Sequence, residues 1–173
     1  MVGRASRTPS TPGTRTGAGQ RGLRVLIIEA RFYQDIADEL VAGAIQELDA
    51  EGVGYERVVV PGALEIPQVL AQAVAAGRIP KAGPDGFIGA IALGCVIRGE
   101  TSHYDIVCNN ANHWLMDVAM RHHVPVGNAI LTVDTHAQAM ARASGGRDGK
   151  GADAARACLR VAEIAAEMRR PVG

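Results

Sequence analysis

The chain has 173 residues, the length of a single domain, and its 18 basic residues balance its 18 acidic residues. Such a balance produces no overall field that would attract nucleic acid or an anionic membrane surface. The longest apolar run, residues 87–97, is about half as long as the roughly 20 residues that a membrane-spanning helix needs. We therefore predict a protein that binds neither nucleic acid nor membranes.

Residues 1–22 contain no acidic residue and no apolar segment, and they are rich in arginine, serine, threonine, proline and glycine. This composition excludes a secretory signal, and the prolines and glycines disfavour the amphipathic helix of an organelle transit peptide. We predict a disordered tail over residues 1–22 and one folded domain over residues 23–173. Three cysteines without CxxC spacing predict reduced thiols and a cytoplasmic location: Cys95, Cys108 and Cys158.

Apolar runs and helical stripes alternate along the rest of the chain. Residues 23–30, LRVLIIEA, form a near-continuous apolar run that predicts a strand buried on both faces. Residues 34–50 then carry apolar side chains at four-residue steps, which predicts a helix that ends before Gly52. The same reasoning predicts a strand at 55–60, a helix at 66–76, a polar loop at 78–86, a strand at 87–93, a helix at 102–122, a strand at 124–133, a helix at 135–143 and, after a glycine-rich link, a helix at 152–168.

This alternation predicts an α/β fold, a flavodoxin-like three-layer αβα sandwich with a four-stranded parallel sheet. Ligands of such folds bind beyond the carboxyl ends of the strands, at the point where the strand order reverses. Four segments are therefore the places to search for function: residues 29–33, 61–67, 94–103 and 132–136.

The segment GCVIRGETSHYD, which starts at Gly94, combines glycines, hydroxyls and a histidine at the end of a predicted strand. Gly94 and Gly99 permit the backbone to approach a ligand closely. The backbone N–H groups of Glu100, Thr101 and Ser102 at the start of a helix predict an anion site, with Ser102 as the N-cap. An ordinary glycine-rich turn remains the alternative. No GxxxxGK[ST] or GxGxxG pattern is present, so a common nucleotide-phosphate loop is not predicted.

His103 is the candidate proton donor and acceptor of this segment. The N-terminus of a helix favours the neutral imidazole, which accepts a proton and returns it. A solvent-exposed helix histidine is the alternative, and Asp105 is interpreted as a carboxylate that complements the helix dipole. Cys95 is interpreted as a core thiol rather than a nucleophile, because no neighbouring group would lower the pKa of its thiol. No cluster has metal-ligand spacing, and four histidines are weak candidates for any role: His113, His122, His123 and His136.

Five other side chains have two open interpretations each. Phe32 follows the first strand, where its ring would stack on a planar ligand or pack in the protein core. Glu65, in PGALEIP, would accept hydrogen bonds from a ligand or cap the next helix. Arg142 and Lys150 flank the flexible link SGGRDG, where they would bind phosphate or form a solvated surface cluster. Trp114 lies in the middle of a predicted helix, where we expect it to pack in the core or at a subunit interface.

Four segments in this order resemble the 6,7-dimethyl-8-ribityllumazine synthase family of riboflavin synthesis: EARFY, VPGALEIP, GCVIRGETSHYD and ILTVDTHAQAMARA. The resemblance covers roughly residues 23–168. It implies condensation of 5-amino-6-(D-ribitylamino)uracil with 3,4-dihydroxy-2-butanone 4-phosphate to the lumazine, with release of phosphate and water. It implies no cofactor.

The resemblance also implies roles for individual residues. Phe32 would stack on the pyrimidine, and Glu100 and Thr101 would bind the phosphate of the second substrate. His103 would donate and accept protons. Contacts to the ribityl chain and to the edge of the ring would come from two segments: Ala63, Leu64 and Glu65, and Cys95, Val96 and Ile97.

Other implied roles fall on residues of a neighbouring subunit. Arg142, helped by Lys150, would bind phosphate from there, and Asn128 stands at a pocket position that is often aromatic. Glu100 and Leu64 also depart from the family pattern, in which alanine and phenylalanine are frequent. The SGGRDG link differs from the Gly-Thr-Lys-Ala-Gly-Asn type of capsid-forming members, which favours a pentamer over a capsid of about 60 subunits.

Two other functions stay open at this point. One is a flavin- or lumazine-binding scaffold without turnover, motivated by Asn128 and Glu100. The other is a monomeric flavodoxin-like FMN protein, which the sequence EARFYQ disfavours because it lacks a Ser/Thr-rich phosphate loop after the first strand.

Overall fold

The computed structural model describes residues 22–172, and strands and helices alternate as far as the fourth helix, after which a short turn leads into a fifth helix. The tail predicted over residues 1–22 lies outside it, apart from Gly22. The strands and helices are β1 (Arg24–Ala30), α1 (Gln34–Ala50), β2 (Gly54–Val60), α2 (Glu65–Ala75), β3 (Ala90–Ile97), α3 (His103–His122), β4 (Val126–Val133), α4 (His136–Ala143), a 3-10 turn (Gly146–Asp148) and α5 (Lys150–Met168).

The four strands form one parallel sheet in the order β2-β1-β3-β4. The chain moves outward from β1 to β2 and then crosses back to β3 on the other side of β1. The strand order therefore reverses between β1 and β3, which is the position where doubly wound sheets bind ligands. The predicted flavodoxin-like sandwich with four parallel strands is confirmed.

Helices cover both faces of the sheet. The first face packs against α1, α4 and α5, and its core includes Ile27, Ile91 and Leu40. The second face packs against α2 and α3, and its core includes Ile28 and Leu70. Because the central strands bury side chains on both faces, their sequences are almost continuously apolar. Each such side chain stabilises the fold by about 1.5–3 kcal/mol. No helix among residues 22–172 is long and apolar enough to cross a bilayer.

The third strand lies further along the chain than predicted, at Ala90–Ile97 instead of 87–93. Phe87 is buried, but it belongs to the preceding loop. Its N–H donates to the carbonyl of Arg78 (2.9 Å), and the guanidinium carbons of Arg24 and Arg78 lie 4.8 Å from its ring centre. A buried apolar residue in a loop looks the same in the sequence as a buried strand residue. The predicted start of the third strand was therefore too early.

The later end of β3 changes the interpretation of Gly94. The sequence placed this glycine in a ligand-binding turn, but it lies within the strand and pairs with Ile130 of β4. A Cβ at Gly94 would lie 3.3 Å from Cδ1 of Ile66 and 3.4 Å from Cβ of Ala30. Gly94 therefore allows α2 to pack closely on the sheet. Its predicted place in a turn is wrong, whereas an approach of its backbone to a ligand stays a prediction.

A buried carboxylate orders the link between α4 and α5. Glu47 of α1 is 3% exposed and accepts hydrogen bonds from Nε of Arg147 (2.9 Å) and Nη1 of Arg156 (2.8 Å). Gly145 and Gly146 adopt the positive φ angles of 103° and 59° that this turn requires. The sequence predicted a flexible link, because nothing in its local pattern indicates a carboxylate on a distant helix.

Replacing Glu47 by glutamine is expected to lower the free energy of unfolding by about 1–3 kcal/mol at pH 7. The hydrogen bond from Arg147, followed by the charges of Arg156 and Arg147, outweighs burial and lowers the pKa of the Glu47 carboxyl. A lowered folded-state pKa stabilises the protein above the unfolded pKa, and this contribution disappears as the pH falls through the folded pKa. The difference between wild type and variant should therefore shrink below about pH 4.

Urea unfolding at a series of pH values measures this difference. Asp49→Asn, on the exposed surface of the same helix, is the matched control and should change stability by less than about 0.5 kcal/mol. A Glu47→Gln variant as stable as wild type at pH 7 would show that the buried ion pairs do not hold the link.

Candidate active site

The carboxyl end of β3 extends beyond β1. Pairing with β1 stops at Glu29 and Leu93, whereas pairing with β4 continues to Ile97 and Val133. Residues 94–97 therefore have no strand partner on the β1 side within the described sheet. Their backbone N–H and C=O groups on that side are available to a planar ligand at the switch point of the sheet.

An aromatic ring lies in the turn that follows β1. Phe32 is 66% exposed and meets only its neighbour Tyr33 in an aromatic contact, edge to face, with the ring centres 4.9 Å apart. A core role for Phe32 is therefore wrong. Its free face is suited to stacking on a planar ring, and that role stays a prediction.

Three contacts hold the loop that follows β3. The N–H of Arg98 donates to the carbonyl of Val133 (2.9 Å), and its Nε donates to Oδ1 of Asp134 (2.9 Å). The guanidinium carbon also lies 4.1 Å from the ring centre of Tyr104. Since Asp134 neutralises Arg98, this arginine fixes the loop rather than offering a free positive charge. Residues 99–101 stay exposed between these anchors.

Helix α3 begins at His103, which is exposed at the same edge of the sheet. Ser102 occupies the N-cap position but makes no capping hydrogen bond, because its backbone is already helical (φ −67°, ψ −2°) rather than extended. The predicted serine cap is wrong. Instead, Oγ1 of Thr101 accepts a hydrogen bond from the N–H of His103 (3.4 Å). Asp105 lies in the first turn, as expected for a residue that complements the helix dipole.

The turn after β2 adds a carboxylate to this edge. Ala63 is buried, whereas Leu64 and Glu65 are half-buried. The side chain of Glu65 folds back over the turn, so that its Oε2 lies 3.2 Å from the position of a Cβ on Gly62. Gly62 therefore leaves room for this carboxylate beside the start of α2.

The cysteine at this edge is not a nucleophile. Cys95 is buried within β3, and burial, with a smaller effect from the negative charge of Asp35, raises the pKa of its thiol to about 11. The thiol stays protonated at neutral pH, and the core interpretation is confirmed. Val96 and Ile97 are half-buried. Residues 22–172 contain no group of three or more His, Cys, Asp or Glu side chains that would hold a metal ion.

A sequence profile of the 6,7-dimethyl-8-ribityllumazine synthase family matches residues 22–166. The 6,7-dimethyl-8-ribityllumazine synthase of Nitrobacter hamburgensis is 50% identical over 143 residues, 83% of this chain and 86% of the relative. That of Methylorubrum populi is 52% identical over 143 residues, 83% of each chain. That of Xanthobacter autotrophicus is 46% identical over 159 residues, 92% of this chain and 94% of the relative. The chain belongs to this lumazine synthase family.

The residues to which the lumazine synthase resemblance assigns roles fall into two groups. One group lies at the carboxyl ends of β1, β2 and β3, around the part of β3 that extends beyond β1. It comprises Phe32, Ala63, Leu64, Glu65, Cys95, Val96, Ile97, Glu100, Thr101 and His103. The other group lies elsewhere in the same chain and comprises Asn128, Arg142 and Lys150.

The two cations of the second group are exposed near the link between α4 and α5. Nη1 of Arg142 donates to the carbonyl of Gln138 (2.9 Å), and Nζ of Lys150 donates to Oδ2 of Asp153 (2.7 Å). Helix α4 packs on α1 and β4, whereas α3, which carries His103, packs on α2 at the other face of the sheet. Within one chain, the helices that carry these cations and the helix that carries His103 therefore cover opposite faces of the sheet.

Asn128 lies on β4, the edge strand of the sheet, and is exposed. Its Oδ1 accepts a hydrogen bond from the N–H of Ile130 (2.9 Å), and its Nδ2 donates to Oδ1 of Asn112 (2.7 Å). The side chain thus satisfies a backbone donor that a strand edge leaves open. It lies at the outer side of β4, away from the switch point between β1 and β3.

Sequence reasoning missed two polar groups close to this edge. His136 was predicted to be a weak candidate for any role, and the sequence did not indicate that its Nε2 lies 2.7 Å from Oδ2 of Asp35 at the start of α1. Burial opposes the ionised form of Asp35, but hydrogen bonds from the N–H of Ile36 and from His136 outweigh it, so the pKa of this carboxyl is lowered. The second is Glu29. Its position inside an apolar run is visible in the sequence, but the strand pattern assigns no role to a charged side chain there.

Proposed function

We propose that this chain condenses 5-amino-6-(D-ribitylamino)uracil with 3,4-dihydroxy-2-butanone 4-phosphate to 6,7-dimethyl-8-ribityllumazine, with release of phosphate and water. One observation supports this proposal: the unpaired edge of β3, residues 94–97, lies at the carboxyl edge of the sheet, where the exposed Phe32 follows β1 and the exposed His103 begins α3. A planar pyrimidine bound to that edge would stack on one residue and present its reacting nitrogen near the other. Neither a metal nor a cofactor takes part.

The first substrate would be held mainly by backbone groups and one aromatic ring. The edge of the pyrimidine would exchange hydrogen bonds with the backbone of residues 95–97 while Phe32 stacks on its face. Hydroxyls of the ribityl chain would donate to Glu65 beside Ala63 and Leu64. Holding both reactants in this geometry supplies much of the rate acceleration, because it converts a bimolecular step into a unimolecular one.

Protons and phosphate would be handled at the start of α3. His103 delivers a proton to the hydroxyl that leaves during imine formation, a task that typically contributes about 10²–10⁴-fold. The backbone N–H groups at Glu100 and Thr101 stabilise the departing phosphate through the helix dipole. Arg142, helped by Lys150, adds charge-assisted hydrogen bonds from a neighbouring subunit.

A direct assay tests the reaction. The purified full-length chain is supplied with both substrates, and lumazine absorbance and phosphate release are followed together. Equal amounts of both products are expected. Tight binding of the lumazine without phosphate release would instead identify a binding scaffold, the function that the departures at Asn128 and Glu100 motivate. Copurifying FMN on a monomer would identify a flavodoxin-like electron carrier and overturn the proposal.

We also propose that the chain works as a homopentamer. On α3, Trp114 is 51% exposed and Met120 is 71% exposed, and Ile106 and Met116 are exposed on the same helix. Trp114 is therefore not a core residue, and these apolar side chains suit a subunit interface. Association would also bring Arg142 of one chain to the site of the next.

The mass of the purified protein in solution tests this assembly. Light scattering is expected to give about five chains per particle. A monomer would contradict the shared site, and a capsid of about 60 chains would show that the SGGRDG link does not limit assembly.

The three unpaired thiols, Cys95, Cys108 and Cys158, support a cytoplasmic location for the enzyme.

A further inference from the structure

Strand β1 contains a fully buried carboxylate in an otherwise apolar stretch. Glu29 is 0% exposed, and both of its oxygens are engaged by arginines. Oε1 accepts from Nε of Arg57 (2.6 Å), and Oε2 accepts from Nη1 of Arg31 (2.8 Å). The side chain is therefore fixed from two sides, by the neighbouring strand and by the turn that follows its own strand.

Core stability does not account for a charge at this position. Removing a carboxylate and a guanidinium from water costs several kcal/mol per ion, and apolar replacements of buried ion pairs are often neutral or stabilising. Val25 and Ile27 alternate with Glu29 along β1 and are completely buried with apolar side chains. A third apolar residue would fit the pattern of the strand. The carboxylate therefore has a task that an apolar side chain does not perform.

Arg31 shows what that task is. It is the first residue after β1, and its N–H donates to the carbonyl of Val60 at the end of β2 (3.2 Å). Its Nη1 binds Glu29, and its Nη2 binds Asp38 on α1. Arg31 thus joins β1, β2 and α1 at one point. The next residue is Phe32, whose ring contributes little packing of its own because it is mostly exposed.

We propose that Glu29 is a positioning residue that, through Arg31, holds the turn of residues 31–33 so that Phe32 lies beside the unpaired edge of β3. Glu29 itself does not touch substrate. This inference rests on the proposed binding of the pyrimidine at that edge. Arg57 engages the other oxygen of Glu29 and so leaves Oε2 directed at Arg31.

The first test measures the turn without reference to activity. In Glu29→Gln, hydrogen exchange followed by mass spectrometry should become at least about tenfold faster at the amide of Arg31, the residue of this turn whose N–H donates to Val60. The link at residues 144–149 should be unaffected. Glu47→Gln is the matched change at the other buried carboxylate. It should instead accelerate exchange in the link at residues 144–149 and leave exchange in the turn of residues 31–33 unchanged. Unchanged exchange at the amide of Arg31 would overturn the positioning role whether or not the chain turns over substrate.

The second test connects the turn to binding. Glu29→Gln should raise KM for the pyrimidine about tenfold and leave kcat and KM for the butanone phosphate within about twofold. Phe32→Ala should also raise KM for the pyrimidine, and the double variant should be no worse than Phe32→Ala, because both act on one ring. Additive losses would overturn the inference. If Phe32→Ala alone leaves KM unchanged, the proposed binding mode fails, and the exchange result still decides the role of Glu29.

Arg31→Lys provides a second variant in case Glu29→Gln does not fold. Lysine keeps the positive charge but lacks the forked geometry that binds Glu29 and Asp38 together. It should reproduce the faster exchange and the raised KM for the pyrimidine. A variant with wild-type exchange and kinetics would contradict the proposal.

Discussion

Replacing His103 by alanine is expected to lower kcat by about 100-fold while the protein stays folded and oligomeric. The described fold places His103 at the carboxyl end of β3, at the start of α3 and beside the exposed loop of residues 99–101. Loss of its proton transfer should affect kcat and kcat/KM equally, because the group acts on the reacting atoms rather than on ground-state binding.

Steady-state kinetics with both substrates measure this effect, and solution mass and circular dichroism verify assembly and folding. His122→Ala, at the exposed end of the same helix, is the matched control and should keep wild-type kcat within about twofold. Added imidazole should restore part of the activity of His103→Ala, because a free base can enter an exposed site. Turnover equal to wild type in His103→Ala would remove this residue from the mechanism.

The layers of the fold were predictable because the central strands obey a simple rule. Parallel strands covered by helices on both faces are apolar throughout, so the apolar composition of LRVLIIEA and of the run after Phe87 predicted both as buried strands. The same rule misplaced the start of β3, since Phe87 is buried by two arginines outside the strand. Burial and strand pairing coincide in most positions but are separate physical requirements.

The edge of the sheet that forms the site was also predictable, because it depends on chain order rather than on contacts. Parallel strands end at one edge, so the segments around Phe32, Glu65 and His103 had to meet there. The extension of β3 beyond β1 was not predictable. It depends on where two ladders of hydrogen bonds stop, and no residue type marks that point.

Ion pairs between distant segments were the main features that the sequence did not reveal. Glu47 and Arg147 are 100 residues apart, and His136 and Asp35 are 101 residues apart. Local patterns describe neighbours within a few residues, so they identify neither partner. The link that they predicted to be flexible is instead held by Glu47 of α1.

Replacing Arg142 by alanine is expected to raise KM for the butanone phosphate about 10- to 100-fold and to change KM for the pyrimidine by less than about twofold. A hydrogen bond to a charged group contributes about 1.5–3 kcal/mol, which corresponds to this range. Arg160→Ala, an exposed arginine of α5, is the control and should leave both constants unchanged. Equal losses for both substrates would contradict a role in phosphate binding.

Mixed assemblies decide whether Arg142 acts on a neighbouring chain. Within one chain, Arg142 and His103 lie on helices that cover opposite faces of the sheet, so we expect each site to take them from different subunits. At butanone phosphate concentrations well below the wild-type KM, equal mixing of His103→Ala and Arg142→Ala chains should then restore about a quarter of the sites, whereas a site built from one chain would restore none. Wild type mixed equally with the double variant gives the complementary result. A shared site predicts about a quarter of full activity and a site within one chain about half, so the two mixtures together exclude an effect of poor assembly.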